Sequence, residues 1–544
     1  MSKTKNILFI MCDQLRWDYL SCYGHPHLHT PNIDKLAERG VRFDKAYVQS
    51  PLCCPSRAST YTGRYMSSHG ASVNFAALRP DEMGIGDYLA SMGIRTALVG
   101  KTHSFPDAAG IERLGIDLKS DIGQHLTHIG FEPYLRDDGL HPNDEKSKDI
   151  EYNRYLREVG YDAKNPWSKH ANGAIDENGD WVNGWFLKAG TYPADIDEPH
   201  SETPYTTRKA MQFMKDAGDN PWCLHLSYIK PHWPYIAPPP YNDLYGPGTF
   251  LPLVRDEGEL DEPNPVYEAY TQMTVSRAFQ QPKTRAAVLQ AYMGLIKQID
   301  DQLGELFAFM DERGLTDNTM IVFTSDHGDY LGDHWIGEKS WFHDASARVP
   351  LIIADPSESA DNTRGTTSSA LVEAIDLLPT FIDVMGGAIP HHRLEGLSLL
   401  PLLHGETPAE WRTFAVSEVD YADRGAKYIL DQPHHECNTV MIRTERWKYI
   451  HVDGYRPQLF DMLNDQNELN DLGGDQSAEI SSVVTEMKEH LITFLLRRKT
   501  RITTPPEKID SIVGGNNREK RGIYIGFYEE EDLPEEVKAS LTKK

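Results

Sequence analysis

The run Asn6-Ile7-Leu8-Phe9-Ile10-Met11-Cys12-Asp13-Gln14 places an unbroken apolar stretch directly before two oxygen donors. Apolar residues without alternation mark a strand buried on both faces, as in parallel sheets covered by helices. Similar runs recur at Thr96-Ala97-Leu98-Val99, Trp222-Cys223-Leu224-His225-Leu226-Ser227, Met320-Ile321-Val322-Phe323-Thr324 and Val349-Pro350-Leu351-Ile352-Ile353. Helical spacing separates them at 33–38 and 85–92. Val288, Tyr292, Leu295, Ile299, Leu303, Leu306 and Met310 form one stripe of a long helix that stops near Gly314. Residues 371–385 also read as helical. The expected class is α/β, a large and mostly parallel central sheet flanked by helices.

A chain of 544 residues exceeds one small core, so a large domain with a smaller companion is expected. Shorter strand-like segments at 439–443 and 447–452 mark a change of pattern. The expected division is a catalytic α/β domain at 1–405, a smaller α+β domain at 406–500 and a C-terminal extension at 501–544. In the extension, Gly522-Ile523-Tyr524-Ile525-Gly526-Phe527-Tyr528 is too apolar for a linker and packs either on its own subunit or on a neighbour; the neighbour is the preferred reading and implies a homo-oligomer. Residues 107–204 lose periodicity and read as a long surface excursion rather than added core strands.

A net charge of −26 disfavours a general nucleic-acid surface, because a polyanion would be repelled. No apolar stretch is long enough for a membrane span, and the polar start with its short apolar run does not read as a secretory leader. No membrane partner is expected, and the cytoplasm is the expected compartment. The six cysteines are sparse for this length and form no CxxC pair. Cys12 and Cys223 lie in strand-like runs and read as buried, inert thiols.

Asp13 and Gln14 follow one apolar strand, and Asp326 and His327 follow another in Ser325-Asp326-His327-Gly328-Asp329. If both strands are central in one sheet, three oxygen donors and an imidazole converge at one edge, where open α/β sheets bind ligands. A second cluster lies in Ser50-Pro51-Leu52-Cys53-Cys54-Pro55-Ser56-Arg57-Ala58-Ser59-Thr60-Tyr61-Thr62-Gly63-Arg64. Here Cys53 reads as a buried thiol at a helix N-terminus, with Ser56 opening the helix. A second reading is a thiolate whose pKa is lowered by Arg57 and the helix dipole.

This run resembles the sulfatase signature, Cys-x-Pro-Ser-Arg followed by Thr-Gly-Arg, in which the first cysteine is oxidised to formylglycine. One position departs: Thr60 stands where the signature usually has Leu. The resemblance extends to Lys448-Tyr449-Ile450, Leu459-Phe460-Asp461-Met462 and Asn467-Glu468-Leu469-Asn470-Asp471-Leu472. It implies an alkaline phosphatase-like fold, a formylglycine-generating maturation enzyme as partner, and one divalent metal held by Asp13, Gln14, Asp326, His327 and the modified Cys53. Cys54, at the variable position, is expected to stay a thiol. Many sulfatases have a second Asp at Gln14 and an Asn at His327, so the Gln and His pair resembles the phosphonate monoester hydrolase branch. An amide and an imidazole in the donor set favour Mn²⁺, with Ca²⁺ second.

Asn74, Lys101, His103, His232 and Lys339 match the family's substrate-handling positions. The cations among them would stabilise the anionic ester, His232 and Lys339 would protect the leaving oxygen and His103 would be the base, while Arg57 would reinforce the positive potential that stabilises the deprotonated hydroxyl of the modified Cys53. His103 would take the second hydroxyl proton of the formylglycine hydrate, expelling sulfate by C–O cleavage. Phosphonate monoester hydrolases tend to carry Tyr and Thr at Lys101 and His103, so the chain is similar to both branches. Residues 50–62 also resemble choline sulfatases. The expected activity is arylsulfatase-like hydrolysis of small sulfate monoesters, promiscuous toward phosphonate monoesters and phosphodiesters. The alternatives are a phosphonate monoester hydrolase or phosphodiesterase with incidental sulfatase activity, and a non-catalytic metal- or anion-binding scaffold.

Overall fold

The computed structural model describes residues 4–139, 141, 149–513 and 530–541. The strands of the large sheet are β1 (Asn6–Asp13), β2 (Val41–Tyr47), β3 (Arg95–Gly100), β4 (Glu132–Arg136), β5 (Trp222–Pro231), β6 (Thr319–Ser325), β7 (Arg348–Ala354) and β8 (Thr366–Glu373). Their order is β8-β2-β7-β6-β1-β5-β3-β4. β1 pairs in parallel with β6 and β5, β3 with β5 and β4, and β2 with β8. β7 runs antiparallel to both β6 and β2 and so opposes all the others. Every residue of β1, β5 and β6 is buried, which explains their unbroken apolar character.

The two faces of β1 are covered by different helices. Leu8, Ile10 and Cys12 join a core with residues of α2 (Glu202–Ala217) and α3 (Pro282–Glu312). Phe9 points the other way and meets Phe381 of α4 (Leu377–Val384) edge-on at 5.5 Å. Gly314, at φ +63°, follows the end of α3 in the left-handed conformation that favours glycine.

Two sequence expectations are corrected. The excursion at 107–204 contributes a strand to the large sheet: β4 is its short edge, and an edge tolerates Glu132, Pro133 and Arg136 because one side needs no ladder partner. The excursion also sends Trp167, Tyr152 and Leu156 into the core. Within 371–385, Leu371–Glu373 belong to β8, and the helix begins only at Leu377. The apolar stripe there is shared between a strand end and a helix, which periodicity alone does not separate.

A smaller antiparallel sheet follows, ordered β9 (Ala415–Asp420), β10 (Asn438–Arg443), β11 (Trp447–Val452) and β12 (Gln458–Asp461). Val416, Ile442, Tyr449 and Leu459 pack under Met487, Leu491 and Phe494 of α5 (Ala478–Arg497). The opposite face packs through Met441, Ile450 and Phe460 against Tyr330, Ile336 and Trp341. Met1–Ile389 and Glu395–Arg498 form one compact unit; Pro390–Leu394 and Lys499–Lys544 form another. The segment Gly522-Ile523-Tyr524-Ile525-Gly526-Phe527-Tyr528, assigned above to a subunit contact, lies outside the described residues. Among the described residues no helix is long and apolar enough to cross a membrane.

Leu226, fully buried in β5 at the sheet centre, tests this architecture. Leu226→Ala is expected to cost about 2–5 kcal/mol, read as a lower urea midpoint at an unchanged m value.

Candidate active site

β1 and β6 are adjacent, parallel and in register through Cys12 and Ser325, so Asp13 and Asp326 leave the sheet at the same edge. The chain turns at Gln14, which has a left-handed φ of 67°, and its N–H donates to Asp326 Oδ1 at 3.0 Å. His327 then brings Nε2 to 3.7 Å from both Asp13 Oδ1 and Asp326 Oδ1. One atom from each of Asp13, Cys53, Asp326 and His327 lies within 4.8 Å of the others, and all four residues are buried.

Cys53 is the first residue of α1 (Cys53–Thr62), with no side-chain cap from Leu52. The helix therefore opens three residues earlier than Ser56, the expected start. Pro55 does not prevent this, because an N–H in the first turn has no intrahelical partner to lose. Cys53 Sγ lies 3.1 Å from His327 Nε2 and 3.0 Å from Lys339 Nζ. Burial pushes its thiol up, but Lys339, Lys101, His327 and His103 outweigh burial and hold it well below the usual thiol range. Burial pushes Cys54 up to about 12, so it stays a thiol, and its Sγ–H is directed at Ala76 O at 3.5 Å. Cys12 and Cys223 are raised by burial and inert. Thr60, the departure from the signature, returns its hydroxyl to Ser56 O within α1 at 2.9 Å.

Arg57, one turn after Cys53, is wholly buried. Its Nε donates to Asp326 Oδ2 at 2.7 Å, and Nη1 donates to Ser227 Oγ at 2.8 Å and Lys101 O at 3.0 Å. Sequence reasoning assigned no role to Asp329 or Tyr235, yet they orient Gln14. Its amide NH₂ donates to Asp329 Oδ2 at 2.6 Å and to Tyr235 OH at 2.9 Å, which turns Oε1 toward Lys339 Nζ at 2.8 Å. The only sequence signal was the place of Asp329 three residues after Asp326.

The residues expected to handle the substrate gather here too. Lys101 Nζ pairs with Asp13 Oδ2. Asn74 accepts the Cys54 N–H at 3.1 Å and so serves the first turn of α1 from outside the helix. His232 donates Nδ1–H to Trp233 O at 2.7 Å, leaving Nε2 without a proton. Burial pushes its pKa down to about 4. His103 sits at φ 51° with its N–H on Asp138 Oδ1 at 2.9 Å.

The donor set fits a divalent cation. His327 donates Nδ1–H to Gly328 O at 2.9 Å, which leaves Nε2 with a lone pair, as in metal-binding histidines. Burial opposes protonation of His327, yet Asp326 and Cys53 raise its pKa; the cluster's field attracts positive charge. Arg57 Nη2 and both ring nitrogens of His103 are buried without hydrogen-bond partners, so the site is built for groups beyond the chain itself.

A family model described as Sulfatase matches residues 5–388, and one described as N-sulphoglucosamine sulphohydrolase, C-terminal, matches 332–497. The chain is 29% identical over 535 residues to the multifunctional alkaline phosphatase superfamily protein PehA of Trinickia caryophylli, covering 92% of this chain and 97% of that one. It is 29% identical to the choline-sulfatase of Rhizobium meliloti over 86% of this chain and 82% of that one. The solved phosphonate monoester hydrolase of Silicibacter pomeroyi superposes with a TM-score of 0.79 at 27% identity, covering 92% of this chain and 96% of that one.

Two outcomes follow from the geometry. Arg57→Leu leaves Asp326 and Asp13 buried without their guanidinium and is expected to cost about 3–5 kcal/mol in urea unfolding. Asp329→Leu releases the Gln14 amide, and metal titration is expected to show affinity weakened by about 10- to 100-fold.

Proposed function

The chain belongs to the sulfatase family, and from that premise we propose that it hydrolyses small sulfate monoesters, aryl esters foremost, with Cys53 matured to formylglycine. The observation that carries this reading is the position of Cys53 Sγ at the uncapped start of α1, 3.1 Å from His327 Nε2 and 3.0 Å from Lys339 Nζ. Asp13, Gln14, Asp326 and His327 would hold one divalent cation, Mn²⁺ first and Ca²⁺ second, because an amide and an imidazole accompany only two carboxylates. When bound, formylglycine and the cation supply a readily ionised hydroxyl nucleophile and a Lewis acid for the ester oxygens.

The chain's own groups divide the remaining work. Lys101 and Lys339 bring two ammonium groups against the anionic ester, in surroundings dry enough to strengthen the attraction. Lys339 is assigned the proton that protects the leaving oxygen, and His232, held by its Nδ1–H on Trp233 O, is assigned to the same end of the ester. His103, close enough to Cys53 to depress its pKa, is assigned the base role. Phe75 is 66% exposed and meets the His103 ring edge-on at 5.7 Å and Phe105 at 5.3 Å, which supports an aryl leaving group. The proposal includes a formylglycine-generating enzyme as partner, a homo-oligomer and a cytoplasmic location.

Gln14 and His327, with the likeness to a phosphonate monoester hydrolase, favour a second reading: a phosphonate monoester hydrolase or phosphodiesterase with incidental sulfatase activity. Lys101 and His103 favour the first. The test is kcat/KM on matched aryl sulfate, aryl phosphonate monoester and diester substrates, with sulfate expected to match or exceed the others. Sulfate turnover far below phosphonate turnover would establish the second reading. Phe75→Ala is expected to lower kcat/KM for aryl sulfates by about 2- to 10-fold, the equivalent of an aromatic contact of about 0.5–1.5 kcal/mol, and to leave alkyl sulfates unchanged.

A further inference from the structure

One face of a guanidinium at the rim of the Cys53 site has no acceptor. Arg424 lies in the turn after β9, where its backbone N–H closes on Tyr421 O at 2.9 Å. Nε and Nη2, the two donors on the side-on face of its fork, are buried and make no hydrogen bond among the described residues. Asp423 Oδ1 stands 3.2 Å from Nε and balances the charge, but not at an angle that satisfies the N–H. Buried donors left over in this way call for an acceptor from outside the chain. Tyr270 supplies a third: it is 1% exposed, and its hydroxyl is buried without a partner. Burial raises its pKa and keeps it a donor, and Arg424 is near enough to draw that pKa down in part.

The turn is tied to the residues around the nucleophile's helix. Ser72 Oγ donates to Asp420 Oδ2 at 2.8 Å. Burial raises the Asp423 carboxyl, whereas Arg424 and the Asn74 N–H draw it down, so Asp423 lies against Asn74. Asn74 in turn accepts the Cys54 N–H in the first turn of α1, and Phe75, the exposed ring assigned to the leaving group, is the next residue. From the other side, burial raises Glu338, and Lys339, Asp329, Arg424 and Cys53 all act on it. Arg424 and the Cys53 site therefore share one electrostatic neighbourhood.

Resting on the aryl-ester reading above, we propose that Arg424 binds an oxyanion substituent on the leaving group, a carboxylate foremost, with Tyr270 OH as third donor. The side-on fork presents two parallel N–H groups that match the two oxygens of a carboxylate. With Phe75 against the ring and Arg424 on its substituent, the substrate class narrows to carboxylated aryl esters. Asp423 orients the guanidinium, and Glu338 opposes an anion here and so limits the preference.

The test is kcat/KM for meta- and para-carboxyphenyl sulfate, each against its carboxamide, with the wild type, Arg424→Gln, Arg424→Lys and Glu338→Gln. Intrinsic differences in reactivity between acid and amide cancel when the ratio is compared between proteins. The carboxylate-to-carboxamide ratio is expected to fall about 10- to 100-fold in Arg424→Gln, the loss of one charge-assisted pair. It is expected to fall less in Arg424→Lys, which keeps the charge without the fork, and to rise roughly 2- to 5-fold in Glu338→Gln, which removes a like charge. Isothermal titration with hydroxybenzoates and hydroxybenzamides, the leaving groups alone, reads the same preference without turnover. An Arg424-dependent preference in titration with no sulfate turnover overturns the sulfatase reading and upholds this one. The proposal is overturned if the ratio and the titrated preference are the same in the wild type and Arg424→Gln, the fork then holding water only.

Discussion

The buried guanidinium of Arg57 is the contact on which the rest of the site depends. It joins the helix that begins at Cys53 to three parallel strands of the large sheet, through Asp326 after β6, Ser227 in β5 and Lys101 O after β3. A wholly buried cation is costly unless charge and hydrogen bonds compensate it. Here the compensation is the pair of carboxylates that also forms the donor set: Asp326 by hydrogen bond, and Asp13 at 3.8 Å. The same ion pair therefore closes the core and fixes the distance between the helix that begins at Cys53 and the sheet edge.

Around that link the charges alternate closely. Burial opposes ionisation of Asp13, but His232, Lys101 and Arg57 hold its carboxyl well below the usual range, whereas burial and Asp13 together raise Asp326. Two adjacent carboxylates with such different environments form an anionic pocket that a divalent cation would complete. Lys101 and Lys339 sit on its rim, and the positive end of α1 faces it. An anionic group entering this pocket would thus meet positive charge on several sides. The pairing of a Gln and His donor set with Lys101 and His103 draws on both branches of the resemblance, and the physics accommodates both: the charge that stabilises a transferring sulfuryl group also stabilises a phosphoryl group.

Much of this was legible in the sequence because it rests on local pattern. The runs at 6–11, 222–227 and 320–324 are too apolar for any place but a sheet centre, and the polar pairs Asp13-Gln14 and Asp326-His327 fall one step beyond. Registration of β1 with β6, a long-range fact, brings the two pairs together. What was not legible depends on position in the sheet or on a partner far along the chain. β4 reads as loop because an edge strand can carry Glu, Pro and Arg. The start of α1 at Cys53 is hidden by Pro55, which is a helix breaker everywhere except the first turn. Asp329 and Tyr235 gave no pattern of their own, because orienting an amide leaves no periodic trace.

The central claim is that the side chain of Cys53 acts as formylglycine rather than as a thiol. The direct measurement is the mass of the peptide containing Cys53, from protein made with and without a formylglycine-generating enzyme, set against kcat for an aryl sulfate in the same samples. The account predicts that turnover rises in proportion to the aldehyde fraction and vanishes where the thiol is intact. Equal turnover by a protein whose Cys53 is wholly thiol would contradict it.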